Sequence, residues 1–228
     1  VGLPGVLGDA ETGRYAVGSF SPRYTVLIHA VLEAAQQEAS PAIVQVSQKE
    51  LIRYTVTPRE FADEFYRCVE ALEVTVPVVL HLDHTWELDV IEAAIEAGFT
   101  SVMIDASEHE IDTNIEISKR VAKYAHDRGV SVEAELGTIG TTDFVETDRD
   151  EELFTDPQEA ERFVRETAVD ALAVSCGTAH GVYMVREPRI DLERLTAIRS
   201  LVAAHLVLHG GSGIPPAMMH EAIGLQNG

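Results

Sequence analysis

Short apolar runs rich in β-branched residues alternate with amphipathic helical patterns along the chain, and this alternation restricts the fold more than any other feature. Seven such units of roughly 30 residues follow one another, a repeat typical of β–α units. The first run is 15–20, and the later runs end at Val46, His84, Asp105, Leu136, His180 and His209. Helical patterns follow the first three runs at 25–38, 58–72 and 87–97. A long helical pattern after the fourth run ends near residue 128, and those after the last three runs begin at 156, 191 and 215. Nearly continuous apolar strands separated by helices indicate a parallel sheet covered by helices.

A (βα)8 TIM barrel forming one domain over 1–228 is the favoured closure of this sheet, and a doubly wound open sheet is the alternative. The barrel is favoured because polar residues follow several strands, whereas an open sheet binds its ligand at one switch point. An eighth strand would begin after Gly228. We therefore expect the eighth strand and the C-terminal helices to be missing from this sequence.

The amino-acid composition and the net charge limit the kinds of molecule that we expect this protein to bind. Hydrophobic residues make up 46% of the 228 residues, which is sufficient for one sizeable core. The net charge of −21 argues against nucleic acid and against an anionic membrane as partners. Only two cysteines are present, and no run resembles a signal peptide or a membrane span. We expect a cytoplasmic protein.

Three histidines lie where predicted strands end: His84, His180 and His209. Parallel strands would bring these imidazoles to one end of the sheet. Three neutral nitrogen ligands with an open fourth position are typical of a catalytic zinc site. Each histidine alone could be an unrelated core or loop residue, but three at matching strand ends favour a metal.

Carboxylates accompany the histidines. Asp83 precedes His84, Asp105 ends the fourth run, and Glu135 lies in the fifth run. Asp83 could instead cap a helix, and Asp105 could be a turn residue. Glu135 is harder to explain structurally, because a buried carboxylate needs a metal or a cationic partner.

Two loops have features of a ligand site. His209-Gly210-Gly211-Ser212-Gly213 follows the seventh run, where barrels often bind phosphate through backbone N–H groups. The acidic stretch 137–156 is long enough to be a lid. Asp143 within it is a candidate mobile acid or base, although a solvated acidic loop explains the spacing equally well.

Together these segments resemble the class II, zinc-dependent ketose-bisphosphate aldolases. The resemblance is collinear and covers nearly the whole chain. It rests on the segments 15–18, 81–84, 97–105, 124–126, 129–137, 169–173, 177–181 and 208–215.

The resemblance implies a (βα)8 barrel that reversibly cleaves a ketose 1,6-bisphosphate, fructose or tagatose, into dihydroxyacetone phosphate and an aldehyde phosphate through a zinc-stabilised enediolate. His84, His180 and His209 match the zinc ligands, while Asp105 and Glu135 match a second cation position, divalent or monovalent. Asp83 matches the acid/base for the C4 hydroxyl. Residues that match substrate contacts are Ser47, Gly181, Gly210, Gly211 and Ser212. The family also implies a homodimer or homotetramer.

Departures from the family pattern keep two alternatives open. Thr85 replaces a glycine, and Asp143 falls where the family has a glutamate. Arg23 and Lys49 stand in altered turns, and we hypothesise that they bind an anionic aldehyde half. The alternatives are a class II aldolase for another phosphorylated ketose and a non-catalytic sugar-phosphate-binding barrel. Three histidines also accept metals other than zinc, such as cobalt.

Overall fold

Strands and helices alternate from the N-terminus onwards in the computed structural model, which describes residues 1–140, 153–181, 183 and 187–226. The strands of this part are β1 (Gly18–Phe20), β2 (Ala42–Ser47), β3 (Val78–Thr85), β4 (Ser101–Ile104), β5 (Ser131–Leu136), β6 (Ala171–Val174) and β7 (His205–Val207). The helices are α1 (Leu3–Gly13), α2 (Ile28–Gln37), α3 (Gln48–Tyr54), α4 (Pro58–Ala71), α5 (Leu88–Ala97), α6 (Ile111–His126), α7 (Pro157–Thr167), α8 (Leu192–Leu201) and α9 (Pro216–Gln226).

The seven strands form one sheet in chain order from β1 to β7. The pairs β1–β2, β2–β3, β3–β4 and β6–β7 are parallel, and Ser47 of β2 lies opposite Asp83 of β3. A parallel sheet in chain order with a helix after each strand is the predicted β–α repeat. The predicted α/β class is confirmed, whereas the eighth strand and the closure of a barrel stay predictions.

The described residues fall into two compact units. The first unit comprises Val1–Ala10, Ala16–Asp105 and Arg120–Glu133, and the second comprises Glu11–Tyr15, Ala106–Lys119 and Ala134–Gly228. Strand β5 contributes to both, since its residues up to Glu133 belong to the first unit. Each unit has its own apolar core: Leu32, Val44, Phe61, Leu80 and Val102 are at most 2% exposed in the first, and Phe163, Leu172, Val174, Leu195 and Ile198 are fully buried in the second.

Helix starts follow the chemistry of their caps. Asp156 accepts hydrogen bonds from the backbone N–H groups of Gln158 and Glu159, so α7 begins where the sequence predicted it. Ser47 and Glu50 form a capping box at the start of α3, directly after β2. Helix α3 was not predicted from the sequence. Lys49, which was predicted to lie just beyond the second strand, is part of this helix.

The sixth strand differs most from its prediction. The apolar run predicted to continue to His180 leaves strand geometry after Val174. Gly177 has φ of +105°, which a regular strand does not allow, and the residues up to Ala179 are buried in a loop. The prediction was wrong here because apolarity marks burial and does not distinguish a buried loop from a strand. Helix α1 was also not predicted.

Among the helices of the described ranges, none combines the length and the apolar character that crossing a membrane requires.

Candidate active site

The carboxyl end of β3 departs from regular strand geometry at His84. The backbone of this residue has φ of +27°, and the pairing of β3 with β4 shifts between Leu82 and Thr85. Bulges of this kind re-aim a side chain, and strained backbone of this kind concentrates at functional sites. The hydroxyl of Thr85 donates to the carbonyl of Asp83 at 3.0 Å, which ties together the two residues on either side of His84.

His84 is oriented by Asp105 of the same unit. Its Nδ1 lies 2.8 Å from Asp105 Oδ2, and both side chains are about one-fifth exposed. Because a carboxylate accepts the proton on Nδ1, the neutral ring has its lone pair on Nε2. Metal-binding histidines are commonly held by a carboxylate in this way. The geometry therefore suits His84 as a ligand through Nε2, with Asp105 as the residue that fixes its tautomer.

Asp83 has one carboxylate oxygen held and the other without a hydrogen-bond partner among the described residues. The residue is 6% exposed. Its Oδ2 accepts a hydrogen bond of 3.1 Å from Gln45 Nε2, while Oδ1 has no such bond. Gln45 is itself fixed, because Nε2 also donates to Ser21 Oγ at 3.0 Å and Oε1 accepts from Ser19 Oγ. A buried carboxylate oxygen without a partner is energetically unfavourable, and it can accept a proton from a substrate.

The second unit holds the other two histidines close together. The ring centroids of His180 and His209 are 5.5 Å apart, and each ring offers a nitrogen within 4.8 Å of one on the other. The backbone N–H of His180 donates to Gly140 O at 2.9 Å. Both imidazoles are partly exposed, so each can reach a ligand. This proximity is compatible with both rings binding one metal ion, since each Zn–N bond is about 2.0–2.1 Å long.

Glu135 lies in the part of β5 that belongs to the second unit and is only 3% exposed. Asn114 donates to its backbone carbonyl at 3.0 Å, which anchors this end of the strand against α6. The predicted burial of this carboxylate is confirmed. Its assignment to a second cation position stays a prediction.

The glycine after His209 is required by a close approach of two backbones. Gly210 has φ of +70°, and a Cβ on it would lie only 2.5 Å from the carbonyl oxygen of Ala179. Only glycine fits such a position. Gly210 therefore has a structural reason as well as its predicted phosphate contact. The phosphate contact stays a prediction for Gly210, Gly211, Ser212 and Gly181.

The remaining candidates divide into three groups. Ser47 caps α3, since its hydroxyl accepts from the N–H of Glu50 at 3.2 Å. Arg23 and Lys49 are both exposed, and nothing in their surroundings tests a role in binding. Asp143 lies outside the described residues.

Sequence reasoning missed Gln45 and Tyr183. Gln45 carried a signal that the sequence shows, because it is the one polar residue within the run 42–46. Tyr183 carried none. Its hydroxyl accepts from the N–H of Ala179 and donates to the carbonyl of Gly210.

Known proteins provide an independent comparison. The family model described as fructose-bisphosphate aldolase class II matches residues 2–226. A fructose-bisphosphate aldolase from Geobacillus stearothermophilus is 41% identical over 225 residues, covering 99% of this chain and 77% of the relative. A 6-phospho-5-dehydro-2-deoxy-D-gluconate aldolase from Bacillus velezensis is 42% identical over 222 residues, covering 96% of this chain and 74% of the relative.

Solved structures agree with the sequence matches. The YdjI aldolase from Escherichia coli K12 superposes with a TM-score of 0.84 at 32% identity, over 98% of this chain and 77% of that one. The resemblance predicted from the motifs is thereby confirmed, as is the assignment to a lyase. This chain belongs to the class II fructose-bisphosphate aldolase family, whose members are metal-dependent enzymes.

Proposed function

We propose that this protein reversibly cleaves a ketose 1,6-bisphosphate, fructose or tagatose, into dihydroxyacetone phosphate and an aldehyde phosphate. Membership of the aldolase family supports the reaction class. The observation that carries the mechanism is the buried Asp83 carboxylate, which follows Leu82 at the bulge and precedes His84. One of its oxygens is held by Gln45, and the other has no hydrogen-bond partner in the described part of the chain.

His84, His180 and His209 are the proposed ligands of one catalytic Zn²⁺. The donor set fits this ion, since three imidazoles leave a fourth position open. The carboxylate on His84 Nδ1 and the close pairing of His180 with His209 support the assignment within each unit. Asp105 and Glu135 are proposed to serve a second cation position. When bound, a divalent ion supplies Lewis-acid stabilisation of the negative charge that develops on the dihydroxyacetone phosphate half.

Asp83 is the proposed acid/base for the C4 hydroxyl. In cleavage its Oδ1 accepts the hydroxyl proton while the C3–C4 bond breaks, and in condensation the same oxygen returns the proton. The hydrogen bond from Gln45 to Oδ2 restricts rotation of the carboxylate and leaves Oδ1 as the proton acceptor. General-base catalysis of this type contributes about 10²- to 10⁴-fold to the rate.

Substrate phosphate is proposed to bind at the glycine-rich turn after β7. Gly210, Gly211 and Ser212 can offer backbone N–H groups to an anion, and Gly181 and Ser47 are the further contacts that the family resemblance implies. Asp143 is proposed as a second proton-transfer residue on the same basis. The partner is thus a small sugar phosphate, and the homodimer or homotetramer stays a prediction.

A second phosphorylated ketose is the alternative substrate. The relative from Bacillus velezensis, named for 6-phospho-5-dehydro-2-deoxy-D-gluconate, is as similar to this chain as the fructose-bisphosphate aldolase from Geobacillus stearothermophilus. Arg23 and Lys49, both exposed, could then contact a different anionic aldehyde half. Substitution of Arg23 by Ala should raise the KM for the true substrate, and an unchanged KM would remove this role.

The test is an assay of aldol cleavage with fructose 1,6-bisphosphate, tagatose 1,6-bisphosphate and 6-phospho-5-dehydro-2-deoxy-D-gluconate. Each substrate is assayed with the purified protein, after chelation and after zinc restoration. We expect chelator-sensitive release of a three-carbon product, with one substrate clearly preferred. Zinc binding without turnover of any of the three would contradict the proposal and favour a non-catalytic sugar-phosphate-binding protein.

Asp83→Asn provides the matched test of the mechanism. It should bind zinc normally and lose about 10²-fold or more in kcat, because an amide cannot accept the proton. Asp63→Asn, on the exposed face of α4, is the control and should behave like the wild type.

A further inference from the structure

The two histidines of the second unit lie on loops whose backbones touch. His180 follows Ala179 in the loop after β6, and His209 precedes Gly210 in the loop after β7. The close approach of Gly210 to Ala179 means that any displacement of one loop displaces the other. The distance between the two imidazoles therefore depends on how this backbone contact is maintained.

One side-chain hydroxyl joins the two loops at this contact. Tyr183 Oη accepts a hydrogen bond of 2.9 Å from the N–H of Ala179 and donates one of 3.1 Å to the carbonyl of Gly210. Both bonds are made to the residue adjacent to a histidine. The ring of Tyr183 also packs against Gly213, since a Cβ on that glycine would lie only 3.2 Å from Tyr183 Cδ2.

Burial makes these bonds difficult to replace. Ala179 is fully buried, and Tyr183 is itself partly buried. A buried backbone N–H that loses its acceptor is energetically unfavourable unless water reaches it. Loss of the hydroxyl should therefore loosen the Ala179–Gly210 contact, and the two histidines should then vary in separation.

We propose that Tyr183 is a positioning residue that sets the separation of His180 and His209 for metal binding. The inference rests on the proposed function, because it assumes that these two histidines bind the metal. It adds a residue that is not among the proposed ligands or substrate contacts and that acts through the backbone next to both histidines. Positioning of ligands by groups of this kind typically changes metal affinity by about 10- to 100-fold.

Tyr183→Phe removes the hydroxyl and keeps the ring. The matched control is Tyr66→Phe, which removes a hydroxyl on α4 that donates to the carbonyl of another glycine, Gly98 at the end of α5, at 2.6 Å. Three quantities are measured on the full chain: the zinc dissociation constant by competition with a chelator, the amide exchange rate near Ala179, and the Tm of the metal-stripped protein.

We expect zinc binding about 10-fold weaker in Tyr183→Phe and nearly unchanged in Tyr66→Phe. The Ala179 amide should exchange faster only in Tyr183→Phe, with the Tm of both metal-stripped variants within a few degrees of the wild type. Unchanged zinc affinity in Tyr183→Phe would overturn the proposal. So would weaker binding accompanied by a large fall in Tm, because it would indicate general unfolding.

Failure of the proposed function is distinguishable from failure of this inference. A wild-type protein that binds no zinc refutes the metal site, and the positioning role is then refuted as well. A wild-type protein that binds zinc, together with a Tyr183→Phe variant of equal affinity, refutes the positioning role alone.

Discussion

At the scale of single residues, β3 and its neighbours carry polar groups into a buried region, and nearly every one is bonded. His81 Nδ1 lies 2.8 Å from Ser101 Oγ, and its Nε2 lies 3.5 Å from Glu133 Oε2. Thr85 donates to a carbonyl of its own strand. Asp83 Oδ1 and, directly after β2, Gln48 Nε2 are buried atoms that make no hydrogen bond in the described part of the chain. Burial of most of these groups is stable because neighbouring strands supply partners, and the carboxylate oxygen of Asp83 stays available to accept a proton.

Gln45→Leu tests whether Asp83 needs its hydrogen bond. The substitution removes the donor to Oδ2 and leaves the carboxylate able to rotate, so we expect kcat to fall by about 10-fold with little change in KM. Zinc affinity should not change. Steady-state kinetics and chelator competition measure the two effects.

Gln36→Leu is the control for this substitution. Gln36 also makes side-chain hydrogen bonds, to Thr75, but it lies on α2. Its variant should lose some stability and no activity. A Gln45→Leu variant with an unchanged kcat, or with an effect confined to KM, would show that Asp83 is positioned by other contacts.

The two cysteines should be unreactive in the folded protein. Burial raises the pKa of Cys176 to about 12, and burial together with neighbouring Glu64 raises the pKa of Cys68. The reactive form of a cysteine is its thiolate. Because the raised pKa values keep both thiols protonated at pH 8, we expect both to be unreactive. Iodoacetamide should leave activity intact and add no mass to the native protein, whereas the unfolded chain should be alkylated twice. Rapid native alkylation of Cys176 would show that its loop opens.

At the scale of elements, periodicity predicted β5 and the start of α7 closely, because both are bounded by clear signals. It missed α3, although Ser47 and Glu50 have the spacing of a capping box, because no loop separates this helix from β2. It extended the sixth strand through a buried loop that Gly177 bends away from strand geometry. Helices and strands are thus predicted well from the sequence where local signals agree. They are predicted less well where burial in the folded protein, and not a local signal, determines which residues are apolar.

The sequence predicts which residues belong to the candidate site better than it predicts what each of them does. The candidate metal ligands and Asp83 are predicted from strand ends and motifs in the sequence. Three of the roles depend on contacts between segments that are distant in the sequence. Asp105 orients His84, and Gln45 holds Asp83. Tyr183 joins two loops. Such contacts are set by the packing of elements, which no local pattern encodes.

Ser47→Ala separates the capping role of this residue from its proposed contact with substrate. Thr57 with Glu60 forms the same capping box at the start of α4, so Thr57→Ala is a matched control. Both variants should lose about 1 kcal/mol in the free energy of unfolding, because one N-terminal N–H of the helix loses its acceptor. Denaturant titrations measure this loss.

The kinetics of the two variants should differ. If Ser47 also contacts substrate, KM should rise by about 5-fold or more in Ser47→Ala, as expected for the loss of one hydrogen bond, and stay constant in Thr57→Ala. Equal KM values in both variants would restrict Ser47 to its role as a helix cap.

At the scale of the whole molecule, the charge of −21 opposes the approach of a phosphorylated substrate. The chain has only three lysines, Lys49, Lys119 and Lys123, among its 17 basic residues. The proposed metal and the N–H groups of the glycine-rich turn would have to attract the substrate against this global field. Such groups act over a few ångströms, whereas the net charge acts over a distance that salt controls.

The salt dependence of kcat/KM tests this balance. Raising NaCl from about 10 mM to about 150 mM shortens the Debye length from about 30 Å to about 8 Å, which screens the global repulsion more than contacts within the site. We therefore expect kcat/KM for a ketose bisphosphate to rise over this range, with kcat nearly constant. The same series in KCl separates screening from an effect of one particular cation. A fall in kcat/KM with salt would mean that local cations such as Arg23 and Lys49 already attract the substrate, and that the acidic surface has little influence on its approach.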